Sequence, residues 1–298
     1  MISRPTSPKA PRRALLPSAL LAGTLLLGSG CVSSPHHLQR ARALDRWQFE
    51  AVVGSALPLS SQVYDAALKA VDVIEPRVTT AKSGGKALNA AEVRSLVESG
   101  LALILFTPLP TTELSARLGV GYGVDVGLRL SGPRTQLDAK WQGLRQEEHG
   151  FDGALSLGVG RHSQPAESLL SSVSDVFQDL KILDYSRTDI ALMALLSRDF
   201  GDFAAITGSF FYMHSAITVG SSIDESLAEV GVQVGDLVDA GPMRQIGGAV
   251  GLRLGYKYAW VTLEVAVAHV RFRPTLVGQQ VDQSGWLVSP ALGVVVRF

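Results

Sequence analysis

The feature that most constrains this chain is a strict alternation of apolar with small or polar residues, in blocks of about ten, that runs through to the last residue. In the final block Trp286, Val288, Pro290, Leu292, Val294, Val296 and Phe298 share one parity, and Leu287, Ser289, Ala291, Gly293, Val295 and Arg297 the other. A period of two puts successive side chains on opposite faces of a strand, so each block reads as a ribbon with one greasy face and one small or polar face. The pattern recurs over 46–57, 113–120, 124–131, 136–142, 151–160, 246–257 and 261–268. In 188–199 and 203–216 both parities are partly apolar, which leaves the orientation of that pair open.

Alternation alone does not choose which face is buried. A soluble sandwich or lipocalin-like barrel turns the apolar parity inward, and a membrane barrel turns it outward. The polar parity favours the second. It carries Glu50, Glu113, Asp125, Asp138, Asp152, Asp189 and Glu264 against Arg117, Arg129, Lys140, Arg253 and Arg297, interleaved with Gly, Ala and Ser. Balanced signs among small residues suit a narrow lumen where opposite charges pair, whereas a solvated face carries long Lys and Glu side chains more densely. The joins alternate too. Those at 121–123, 147–150, 201–202 and 258–259 are tight; those at 58–112, 163–187, 217–244 and 274–285 are long, with 132–134 the exception. Short turns on one rim and long loops on the other is the arrangement of outer-membrane barrels, and an even strand count returns both ends to the short-turn side. Aromatics make up only 7% of the chain, so Trp47, Trp141, Trp260, Trp286, Tyr256 and Phe298 supply thin girdles.

Composition narrows the function classes. Only 18% of residues are charged, against about 25% in soluble domains, and the mean hydropathy is +0.22, which excludes intrinsic disorder. With 27 basic and 27 acidic residues, the chain lacks the basic footprint of a nucleic-acid binder. A single cysteine excludes an internal disulfide and a cysteine-based zinc site. Past Cys31 no apolar run is long enough to cross a membrane as a helix.

The first thirty residues read as a secretory signal: Arg4, Lys9, Arg12 and Arg13, an apolar stretch over 14–27, then Gly28, Ser29 and Gly30. Its removal leaves 23 basic and 27 acidic residues. Residues 27–31 resemble the lipobox of bacterial lipoproteins, with Gly28 where that family has Leu; the resemblance implies diacylation of Cys31, and Val32 in place of Asp implies onward sorting to the outer membrane. The terminal Phe298, with Val296, Val294 and Leu292 on its face, resembles the C-terminal signal by which outer-membrane β-barrels are recognised by their assembly machinery. The wider resemblance to small bacterial outer-membrane barrels covers 110–298 and, more weakly, 46–57.

Residues 59–110 do not alternate. Val63, Ala67, Ala70, Val71 and Ile74 fall near helical spacing, and Asn89 with Glu92 three residues on reads as a helix start, so a partly helical insertion is expected on the long-loop rim, as a plug, or as a further strand pair. Chemistry-bearing motifs are lacking: the sequence has no phosphate loop, no HExxH and no GxSxG elbow. His36 and His37 read as part of a solvated spacer, His149 as a turn residue, and His162, His214 and His269 as rim residues.

These readings combine into an all-β fold: a closed, antiparallel, up-and-down transmembrane β-barrel of about ten strands, eight or twelve being compatible. The expected organisation is a signal peptide at 1–30, an acylated tether at 31–45 and a barrel at 46–298. Eleven charges are expected to face the lumen: Glu50, Glu113, Arg117, Asp125, Arg129, Asp138, Lys140, Asp152, Arg253, Glu264 and Arg297. The expected role is a non-enzymatic outer-membrane lipoprotein, structural, interacting or passing a small solute, anchored from Cys31 in the periplasmic leaflet. No cofactor, metal or nucleic acid is expected; the partners are membrane lipid and the barrel-assembly machinery. The alternatives are an outer-membrane hydrolase with a rim site and a periplasmic lipocalin-like binding lipoprotein.

Overall fold

A computed structural model describes residues 37–60, 91, 95, 98, 110–132, 134–165, 184–219, 238–239, 241–276 and 279–298. Residues 1–36, which include the expected signal peptide and Cys31, lie outside the described residues, as does most of the 59–110 insertion, of which Ala91, Ser95 and Glu98 are helical. The alternating blocks form ten long strands: β1 (Phe49–Ala56), β2 (Thr111–Gly121), β3 (Val124–Ser131), β4 (Arg134–Leu144), β5 (Asp152–Pro165), β6 (Asp184–Phe200), β7 (Ala204–Val219), β8 (Pro242–Tyr256), β9 (Ala259–Phe272) and β10 (Gly285–Arg297). Each pairs antiparallel with its neighbours in sequence, and β1 pairs with β10 from Glu50↔Arg297 to Ala56↔Ala291, which closes the sheet. Closure removes the exposed edge that hydrocarbon could not satisfy.

Apart from the join between β3 and β4, the tight joins fall on one rim. Gly123 takes a φ of 74° between β2 and β3, and a four-residue helix, α1 (Gln146–His149), turns β4 into β5 and stops at Gly150 with a φ of 78°. Three two-residue strands, Val238–Asp239, Thr275–Leu276 and Gln279–Gln280, form a small ladder among the long connections. Strands on the β6–β7 side reach 17 and 16 residues, longer than the alternation suggested, because Tyr185, Arg187 and Ile217 continue the pairing past the blocks.

Burial is inverted relative to a soluble protein. Leu128, Val265 and Leu292 are 40%, 45% and 53% exposed, while Arg129 and Glu264 are 4% and 6% exposed. Apolar side chains cover the outside and charges line the inside, the pattern of a barrel that spans lipid. The lipocalin-like orientation requires the reverse and is overturned by these burials. Trp260, expected in a girdle, instead points into the lumen, because it shares parity with Thr262 and Glu264. The open orientation of β6 and β7 resolves with Met193, Leu195, Phe211 and Met213 inside, giving the lumen one apolar wall.

Candidate functional site

The lumen holds a network of ion pairs within and between strands. Near the short-turn rim Asp125 on β3 accepts from Arg117 on β2 and lies 3.1 Å from Lys140 on β4. Arg117 also reaches Asp138 on β4 at 2.7 Å. It crosses β3 to do so, and Gly127 makes the passage possible: a Cβ there would stand 2.8 Å from both the Arg117 guanidinium and the Asp138 carboxylate. Glu50 on β1 receives Arg253 at 3.1 Å and Arg297 at 2.6 Å, stitching the seam where first and last strands meet. Higher up, Arg129 pairs with Glu113 at 3.2 Å, and Asp189 is shared by Arg134 at 3.0 Å and Arg187 at 2.6 Å.

Many of these charges also hold a guest from the same chain. Residues 37–45 run from the short-turn rim up into the lumen, and their backbone groups are met by lumen side chains. Glu264 accepts the His37 and Leu38 amides at 2.7 and 3.1 Å, and Arg129 and Arg253 donate to the carbonyls of the same two residues at 3.1 and 3.0 Å. Lys140 donates to the carbonyls of Arg40 and Arg42, Ser197 accepts the Ala41 amide, Gln142 that of Ala43 and Asp125 that of Leu44. An extended segment without helix or ladder must find partners for its peptide groups, and here the lumen supplies them.

Packing completes the seat. Leu38 is 1% exposed and lies among Val52, Ala56, Trp260, Ala291 and Val295. Gly54 and Gly293 oppose each other across β1 and β10, and a Cβ on either would fall within 3 Å of the Leu38 methyl. The His37 ring meets Phe211 edge-on at 5.4 Å. Arg40 forms an ion pair with Asp199 at 3.0 Å. Clefts of about 390 and 350 Å³ flank the segment where it leaves the short-turn rim.

Glu50, Glu113, Arg117, Asp125, Arg129, Asp138, Lys140, Asp152, Arg253 and Glu264 are all buried in the interior, and Arg297 is partly buried at its mouth. Asp152 accepts from Gln142 and the Gln146 amide beside α1. Phe298 is exposed and closes the seam through its backbone, exchanging hydrogen bonds with Phe49 at 2.9 and 3.0 Å. Arg134 and Arg187 are lumen charges as well, although the alternating blocks stop short of both. Extending the parity of Gln136 and Asp189 by one step would have found them. His37 is corrected from spacer to lumen, a placement no local pattern announces.

His36 lies outside the described residues, and the other described histidines do not converge. His162 faces inward between Arg134 and Arg187 in the register, His214 and His269 face outward, and His149 is on α1. Among the described residues no group of three or more His, Asp or Glu is placed to hold a metal ion.

No protein-family model and no curated sequence matches the chain. The chain is similar, at low identity, to solved outer-membrane proteins. Neisserial surface protein A is 9% identical over 85% of this chain and 97% of that one, with a TM-score of 0.32. The outer membrane protein OprG from Pseudomonas aeruginosa is 10% identical over 87% and 99%, with a TM-score of 0.33. The outer membrane protease OmpT from Escherichia coli is 10% identical over 85% and 94%, with a TM-score of 0.30.

Proposed function

We propose that the protein is a non-enzymatic barrel of the bacterial outer membrane whose lumen is closed by its own residues 37–45, so that it acts as a structural or interaction element of the envelope and not as an open pore. The carrying observation is that the carbonyls and amides of this segment are bound by Glu264, Arg129, Arg253 and Lys140. Side chains committed in this way are unavailable to line a solute path. An export signal, tight turns on one rim, long connections on the other and a terminal aromatic strand support the outer membrane as its location, with Phe298 offered to the assembly machinery.

An acylated Cys31 belongs to this reading under a geometric constraint. His37 sits about five strand positions above the short-turn rim, roughly 13 Å along the barrel axis. The six residues from Cys31 to His37 span at most about 20 Å. That reach exceeds the depth, so a lipid held in the periplasmic leaflet leaves the segment free to insert fully, and the mass of the mature N-terminus tests whether the acyl groups are present.

Planar-bilayer recording tests closure. The wild-type chain should give no steady conductance, and removal of 37–45 should give a stable channel. Steady conductance from wild-type protein that still shifts on a gel when boiled contradicts the closed lumen.

A further inference from the structure

The outward face of β7, β8 and β9 turns basic at its long-loop end. Along β8 the outward residues Leu254, Leu252, Val250 and Ile246 are apolar, and the next is Arg244. Along β9, Val261, Leu263, Val265 and Val267 lead to His269 and Arg271, and along β7, Ile206, Phe210 and Tyr212 lead to His214. Register places Arg244 directly opposite Arg271 on one side and His214 on the other. Both arginines are exposed. One step toward the membrane centre lies a second row, Tyr212, Ile246, His269 and Trp286, again directly opposite one another, with His269 edge-on to Trp286 at 5.2 Å.

Like charges directly opposite on paired strands repel, so such a pair calls for a counter-ion. Neither Arg244 nor Arg271 forms an ion pair with a described residue, whereas Arg273, two positions on, is matched by Asp282 at 2.9 Å. Hydrogen bonds from Ser284 hold that Asp282 carboxyl below its usual range, which keeps the matching charge in place.

We propose that His214, Arg244 and Arg271 bind the phosphate groups of a phosphorylated glycolipid in the outer leaflet. This rests on the outer-membrane reading above, which turns the long-loop rim outward. Guanidinium forks donate to phosphate oxygens two at a time. The aromatic row below sits at head-group depth, and the apolar residues beneath it run along acyl chains. A glycolipid is favoured over free phosphate because the row stands on the outer wall, directly above side chains that face hydrocarbon.

The test adds bisphosphorylated lipid A, its dephosphorylated form, or phosphatidylglycerol to the detergent-solubilised full chain and reads bound lipid by native mass spectrometry. Wild type, R244Q, R271Q and R244Q/R271Q are compared, each checked for folding by the shift on boiling. The double variant should lose at least about tenfold in lipid A binding, the single variants less, and the dephosphorylated lipid should bind wild type no better than the double variant. Equal lipid A binding by wild type and double variant overturns the proposal, as does phosphatidylglycerol binding as tightly as lipid A. Fractionation of cells reads the underlying location separately: wild-type protein outside the outer-membrane fraction overturns that reading, and this one with it.

Discussion

Asp125 has no exposed surface and serves three donors: the Arg117 guanidinium, the Lys140 ammonium and the Leu44 amide. A carboxylate in that position neutralises two buried cations and also fixes the guest segment. Removing one partner from a buried ion pair costs far more than the pair contributes, because the remaining charge stays desolvated. Asp125→Asn keeps the volume and should lower stability by about 3–5 kcal/mol, read as a shift in the urea midpoint of unfolding from lipid vesicles. An unchanged midpoint would mean that water, not Asp125, satisfies Arg117 and Lys140. Gly119 gives a second residue-scale test. A Cβ there would stand 1.9 Å from the Asp45 carbonyl oxygen, a backbone atom with little room to move, whereas at Gly208 a Cβ meets nothing within 4 Å. Gly119→Val should therefore dislodge the base of the segment and produce flickering conductance, while Gly208→Ala should leave recordings unchanged.

At the scale of elements, β1 and β10 close the barrel through backbone pairing that extends to Phe298 and through Glu50 shared between Arg253 and Arg297. Glu50→Gln should weaken this seam more than a substitution within β6 and β7, which pair with each other over 16 register positions. Faster loss of the gel shift with rising temperature in Glu50→Gln than in Ser197→Ala would show it; equal loss would not. The strands and their faces were legible because period two is a local pattern, readable from Leu292 and Val294 against Gly293 and Arg297 with no knowledge of partners. The position of 37–45 was not legible. Its binding residues are far away in sequence, Glu264 being 227 residues from His37, and a segment held by side chains has no periodicity of its own. The charges themselves were found, but their chemistry was read only half-way: they were expected to satisfy one another, and Glu264, Arg129, Arg253 and Lys140 also satisfy a peptide backbone. Gly54 and Gly293 read as small lumen residues, and only the position of Leu38 shows what their missing side chains make room for.

For the whole molecule, the decisive property is the inversion of burial. Leucine and valine lie on a surface that only lipid can solvate, and arginine, aspartate and glutamate lie in an interior where each needs a partner. The most direct measurement places an environment-sensitive fluorophore on single cysteines at Thr262, Val265, Ser289 and Leu292, in a Cys31→Ser background, with the chain folded into vesicles whose lipids carry bromine on their acyl chains. Strong quenching is expected at Val265 and Leu292 and little at Thr262 and Ser289, which are buried inside the barrel. Strong quenching at Thr262 and Ser289 with none at Val265 and Leu292, or quenching equal at all four, would contradict it.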